Sequence, residues 1–177
     1  MASEIIVQTI KGPTSGANAN KIIIPSGQTL DASEGFVPPV GTVVNVSTEH
    51  TDGNTITSST TYVSTGLSVS YTPKKAGNLI IIQSNMGADT NSSGRSIRHT
   101  IFRDSTDLGS SNGNGSQTQS YAQGGRLFAV GNTIAVDSNV TAAARTYSVR
   151  IKSGGGYSTE GDGTGGRKTM IITEIAQ

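Results

Sequence analysis

The run Gly161 to Thr169 reads GDGTGGRKT, and it is the stretch of this chain that most resembles a piece of chemistry. Gly161, Gly163 and Gly166 fit G-x-G-x-x-G, and the run closes on Lys168-Thr169, as a phosphate loop does. Glycine loops hold phosphate because their bare backbone N–H groups approach the anion closely, at the start of a helix whose dipole favours negative charge. That chemistry needs a strand before the loop and a helix after it. Here Gly156 to Glu160 read as loop, and Lys168 to Ile175 are β-branched and strand-like. A phosphate loop also needs glycine directly before Lys-Thr, where Arg167 stands. The reading is therefore no nucleotide site, with the glycines letting a long loop join the last two strands.

The remaining candidates are sparse. There are two histidines, His50 and His99, and neither has a second ligand at metal-binding spacing. His99 lies mid-strand between Ile97 and Ile101 and is expected to be packed and hydrogen-bonded; His50, near Asp52, is expected to be solvated. No G-x-S-x-G nucleophile elbow occurs. Asp52-Gly53-Asn54 and Glu160-Gly161-Asp162 place hard oxygens close together, but neither makes a complete calcium loop. The expectation is no catalytic residue, no cofactor and no metal. Tyr121 and Tyr157, inside long polar stretches, are the candidate exposed contact residues, since aromatics on loops suit sugar or protein contact.

Composition narrows the partners. The chain has 177 residues and a net charge of +1, with Lys and Arg scattered rather than clustered. Nothing in that balance points to nucleic acid. Cysteine is absent, so disulfides and thiolate chemistry are excluded. MASEIIVQTIKG lacks a basic-then-apolar signal pattern. No apolar run approaches the roughly 20 residues a spanning helix requires, and no membrane insertion is expected. The sequons at Asn91 and Asn139 read as chance matches.

Whatever these residues do must be positioned by strands. No helix-length segment has apolar residues at i, i+3, i+4 and i+7, whereas short β-branched runs between turn residues are frequent. Expected strands are Glu4–Ile10, Lys21–Ile24, Thr42–Thr48, Thr55–Val63, Leu67–Tyr71, Leu79–Gln83, Ile97–Phe102, Leu127–Val130, Thr133–Val136, Tyr147–Lys152 and Thr169–Ile175. Gly131-Asn132 reads as a turn pair, and residues 104–125 and 153–167 as long polar loops. About ten short strands predict an all-β sandwich or jelly roll. Residues 1–40 read as an extended N-terminal arm and 41–177 as the head. In the arm, Ile5, Ile6, Val7, Ile22, Ile23 and Ile24 are the candidate anchoring residues, because short apolar strands can pair with a neighbour's sheet edge.

Several segments together resemble a known group. IKGPTSGANANKIIIPSGQTLDASEG resembles the N-terminal arm of short structural proteins of tailed bacteriophages, particularly marine ones. STTYVSTGLSVSYTPKKAGNLIIIQSNMGA resembles the opening of their β-sandwich, IRHTIFRDSTDLG a strand with its following turn, and ARTYSVRIKSGGG and MIITEIAQ the closing strands. The domain is similar to the trimeric jelly rolls of the complement and tumour-necrosis-factor type. That resemblance implies a non-enzymatic virion protein, made in the host cytoplasm, that forms a homotrimer. It implies an arm docked on another virion protein of the tail or capsid, and a head turned outward. Two roles follow from it: a tail-fibre module contacting a host-surface glycan or protein, or a capsid decoration protein. The chain carries no heptads, collagen triplets or other shaft repeats.

Overall fold

The computed structural model describes residues 10–19, 21–28, 37–90, 96–109, 118–121, 127–138, 140–154, 159–161 and 166–177. The chain divides into two compact units, Met1–Val37 and Pro38–Gln177.

In the first unit, the described residues form turns rather than strands. Ala19 N–H donates to Gly16 O, Lys21 N–H to Asn18 O and Gln28 N–H to Pro25 O. Lys21–Ile24, expected as a strand, is not one; among the described residues these four pair with no other segment, and Ile22, Ile23 and Ile24 lie exposed. A strand is stable only when its backbone groups find a ladder, which three isoleucines cannot supply by themselves. The expected strand Glu4–Ile10, with Ile5, Ile6 and Val7, lies outside the described residues except at Ile10.

The second unit is all-β. Its strands are β1 (Val43–Asp52), β2 (Thr55–Thr57), β3 (Val63–Tyr71), β4 (Leu79–Thr90), β5 (Ser96–Arg103), β6 (Thr106–Asp107), β7 (Thr118–Tyr121), β8 (Leu127–Asp137), β9 (Arg145–Ser153), β10 (Thr159–Gly161) and β11 (Arg167–Ile175). They build two antiparallel sheets packed as a sandwich. In sheet A, β4 is central. Its one edge pairs with β8 from Ile80 to Thr90. Its other edge is shared end to end, Leu79–Asn85 with β11 and Ala88–Thr90 with β10. Beyond these lie β1, paired with β11, and β2, paired with β10. Sheet B runs β3-β9-β5, and the far edge of β5 pairs with β7 and β6.

Period-2 alternation makes the core. Ile80, Ile82 and Met86 of β4 and Met170 and Ile172 of β11 face inward from sheet A. Ile97 and Ile101 of β5, Tyr147, Val149 and Ile151 of β9 and Leu67 of β3 meet them from sheet B. Each such side chain contributes about 1.5–3 kcal/mol of burial. β3 carries one irregularity: its register against β9 shifts between Ser64 and Ser68. Gly66 takes a φ of +82° there, and the Thr65 hydroxyl donates to Val149 O at 2.8 Å, re-tying the strand.

Three expectations are corrected. Gly131-Asn132 is not a turn: β8 passes straight through it. Gly131 is glycine because the His99 imidazole, crossing from sheet B, lies where a Cβ would be. The 104–125 stretch contains β6 and β7, and the 153–167 stretch contains β10. Polar, glycine-rich residues enter strands here because long partners already present open edges to them.

Candidate functional site

The opening motif is described at its two ends, and residues 162–165 lie outside the described residues. Gly161 ends β10, and Arg167 starts β11, a strand where a phosphate site needs a helix. Lys168 is buried, and its Nζ donates to Gly53 O at 2.6 Å, so its charge faces the sandwich rather than a ligand. Tyr121 is the last residue of β7, opposite Ser96, and therefore stands on a strand and not on a loop. Tyr157 lies outside the described residues, as do Ile5, Ile6 and Val7. Ile22, Ile23 and Ile24 are exposed, which leaves them free for contact.

The ionisable groups of the interior hold the fold together. Glu174 is wholly buried on β11. Its carboxylate accepts the Tyr71 hydroxyl at 2.5 Å, Asn78 Nδ2 at 2.7 Å and Lys74 N–H at 2.8 Å. Burial opposes its charge, but the hydrogen bonds from Tyr71, Asn78 and the Lys74 and Lys75 amides outweigh it and hold the carboxyl below its ordinary value. Tyr71 is pushed up to about 12, by burial first and then by Glu174. Sequence reasoning missed this carboxylate; a lone glutamate among β-branched residues in a closing strand is its one signal. At the same end of the sandwich, Asp137 accepts Arg103 Nη1 at 2.6 Å and the Tyr147 hydroxyl at 2.8 Å. Burial, then Asp137, raise the Tyr147 phenol.

His99 is different. It is 0% exposed, and neither ring nitrogen has a hydrogen-bond partner. The expected packed histidine is there, but the expected hydrogen bond is not. Its cross-strand partners are Ile151 and Thr118, and Gly131 lies against the ring. Burial drops its pKa to about 4, so it is neutral in the fold. His50 is exposed on β1, as expected. Among the described residues no three His, Cys, Asp or Glu side chains gather to hold a metal, and no helix is long and apolar enough to cross a membrane.

The two outer faces carry the rest. On sheet A, the register aligns Val46, Thr173, Ile81 and Val136 in one row. The next rows are Thr48, Ile171, Gln83 and Ile134, then His50, Thr169, Asn85 and Asn132. Val46 is 56% exposed, Ile134 47% and Ile171 40%, and Val130 at the margin is 66% exposed. Only His50 among these rows can take a charge. The face is shallowly dished: Gln83, Asn85, Asn132, Ile134, Thr169 and Ile171 line a depression of about 380 Å³.

Sheet B presents the opposite character. Arg98 and Lys152 stand directly opposite one another across β5 and β9, and Thr100 opposes Arg150. The Arg150 guanidinium lies over the Phe102 ring at 4.1 Å, and Lys152 Nζ over the Tyr62 ring at 4.3 Å. The two rings meet edge to face at 5.5 Å. Ser64, Ser68 and Ser70 of β3 are exposed beside them.

No family model matches this chain, and no curated protein matches it.

Proposed function

We propose that this protein is a non-enzymatic surface structural protein of a tailed-bacteriophage virion, a trimer that docks through its N-terminal arm and turns its sandwich toward the host surface. The observation that carries the reading is the outer face of sheet A. Four strands about 4.8 Å apart over roughly 20 Å of length make a patch on the order of 400 Å². Its centre is uncharged and studded with half-exposed Val46, Ile134 and Ile171. Exposed apolar side chains spread over four neighbouring strands, with no charge between them, suit contact with another surface.

The strand order supports a jelly roll. With β1 and β2, β6 and β7, and β10 and β11 each counted as one broken strand, the strands lie in the order 1-8-3-6 over 2-7-4-5. That is the arrangement of two interlocked Greek keys. The interior favours a structural role: Glu174, Asp137 and Lys168 each spend their charge on hydrogen bonds inside the sandwich. Exposed Ile22, Ile23 and Ile24 suit an anchoring arm.

Light scattering on the full chain, with a copy count of the protein in purified particles, tests the reading. A trimer at a handful of copies per particle is expected. A monomer in solution overturns it. A copy number near that of the capsid protein replaces the tail module with a decoration protein.

A further inference from the structure

The outer face of sheet B holds cations that the fold does not need. Arg98 and Lys152 are directly opposed, and like charges in that position destabilise a sheet. Among the described residues no carboxylate is seen paired with them. The ion pairs Arg103–Asp137, Arg145–Asp104 and Arg167–Asp52 engage other cations than Arg98, Arg150 and Lys152. Arg150 touches Asp104 only through its backbone oxygen, at 2.9 Å, while the Asp104 carboxylate takes Thr146 N–H and Arg145. Asp107, bordering the strip, accepts the Thr100 hydroxyl and Gly109 N–H. The Arg98 Nε is buried and has no hydrogen-bond partner. A buried N–H left unmatched is costly, which marks Arg98 as a cation the fold does not use for its own stability.

The cations are also held in place. Ring faces and uncharged oxygens, rather than carboxylates, fix Arg150 and Lys152, so their charge stays uncompensated while they lose freedom. We propose that this strip is a binding site for an acidic glycan, with Arg98, Arg150 and Lys152 taking its carboxylate or sulfate groups. Sheet geometry separates Lys152 from Arg150, two residues along β9, by about 7 Å, so the strip meets successive anionic groups rather than one. Exposed Ser64, Ser68 and Ser70 offer hydroxyls to the neutral sugar positions. A single-stranded nucleic acid fits less well. Bases need free aromatic faces to stack on, and here Arg150 and Lys152 already cover the rings.

The site deepens the host-contact reading of the protein and rests on it for the source of the glycan, not for the chemistry. Binding of the full chain to alginate (carboxylated), heparin (sulfated), neutral dextran and a single-stranded oligonucleotide is measured by calorimetry. Saturable binding to alginate or heparin, and none to dextran, is expected; which of the two binds tells carboxylate from sulfate. The double variant Arg98→Gln/Lys152→Gln should weaken it about tenfold or more, the effect of losing one charge-assisted contact. That variant removes a repulsion and should fold normally. Lys74→Gln/Lys75→Gln, which removes the same charge elsewhere, should bind as the parent does. No binding to either acidic glycan, equal loss in both double variants, or tighter binding to the oligonucleotide overturns the proposal. Failure here with a trimeric tail protein sinks only the site. Strip-dependent binding by a protein that is not on the tail sinks only its placement.

Discussion

The two outer faces of this sandwich are made by the same rule and come out opposite. In both sheets alternate residues point away from the core. On sheet A those residues are Val46, Ile81, Ile134, Val136 and Ile171 among threonines and amides. On sheet B they are Arg98, Arg150, Lys152 and Phe102 among hydroxyls. A net charge of +1 hides the segregation entirely. The lesson is that charge scattered along a β chain is not scattered in space: Arg98 and Lys152 are far apart in sequence and opposed across two strands.

The strongest way to break this comparison is to make the apolar face charged. Ile134→Asp/Ile171→Asp should abolish association of the chain, read as a fall to monomer mass in light scattering, with the strand signal in circular dichroism kept. Lys152→Glu on the other face should leave the mass unchanged. If both variants dissociate, or neither does, the faces do not divide the work as argued.

Between the faces lies the interior, where acid should act first through His99. Its folded pKa of about 4 lies below the ordinary 6.5, so the fold favours the neutral ring. Its contribution is present in full above pH 6.5 and is lost as pH falls toward 4. A gap of that size amounts to about 3 kcal/mol. Urea midpoints measured across that window should fall with acid in the parent and much less steeply in His99→Gln. Identical slopes would show that the ring is not the group being charged.

Glu174→Gln comes next. It keeps the shape but removes the charge that Tyr71, Asn78 and the Lys74 and Lys75 amides hydrogen-bond. A loss of about 1.5–3 kcal/mol is expected from urea denaturation at neutral pH. Because its carboxyl is held low, the parent's advantage over this variant should vanish only below the ordinary carboxylate range.

The smallest effect belongs to Asp52→Asn, at the margin of the apolar face. Arg167 Nε meets Asp52 at 3.0 Å, but both side chains are open to solvent. Such pairs contribute little. No change in midpoint and no change in mass are expected. A changed mass would extend the association surface to this edge.

Much of the fold was legible. The alternation put Ile97, His99 and Ile101 on one face and Arg98, Thr100 and Phe102 on the other, and the first set lies in the core. The glycine motif could be set aside because Lys168 to Ile175 is β-branched, and that segment is β11. Less of the site was legible. Tyr121 read as a loop residue because Gly, Ser and Asn surround it, yet β5 offers an edge on which Thr118–Tyr121 pairs. Gly131-Asn132 carries turn chemistry by composition and runs straight, because His99 needs the space a side chain would fill.

What the sequence determined by itself is whatever repeats locally: the all-β class, the two faces of strands that alternate plainly, such as β5 and β9, and the want of a helix behind the glycine loop. These follow from period and propensity, which act over a few residues. The tertiary structure alone decided which outward sets share a face. Register across strands put Val46 in line with Val136, and Arg98 against Lys152. It also buried Glu174 beneath Tyr71 and Asn78, and His99 without a partner. The physical reason is that a strand fixes its own two faces but not its neighbours, and a surface belongs to several strands at once.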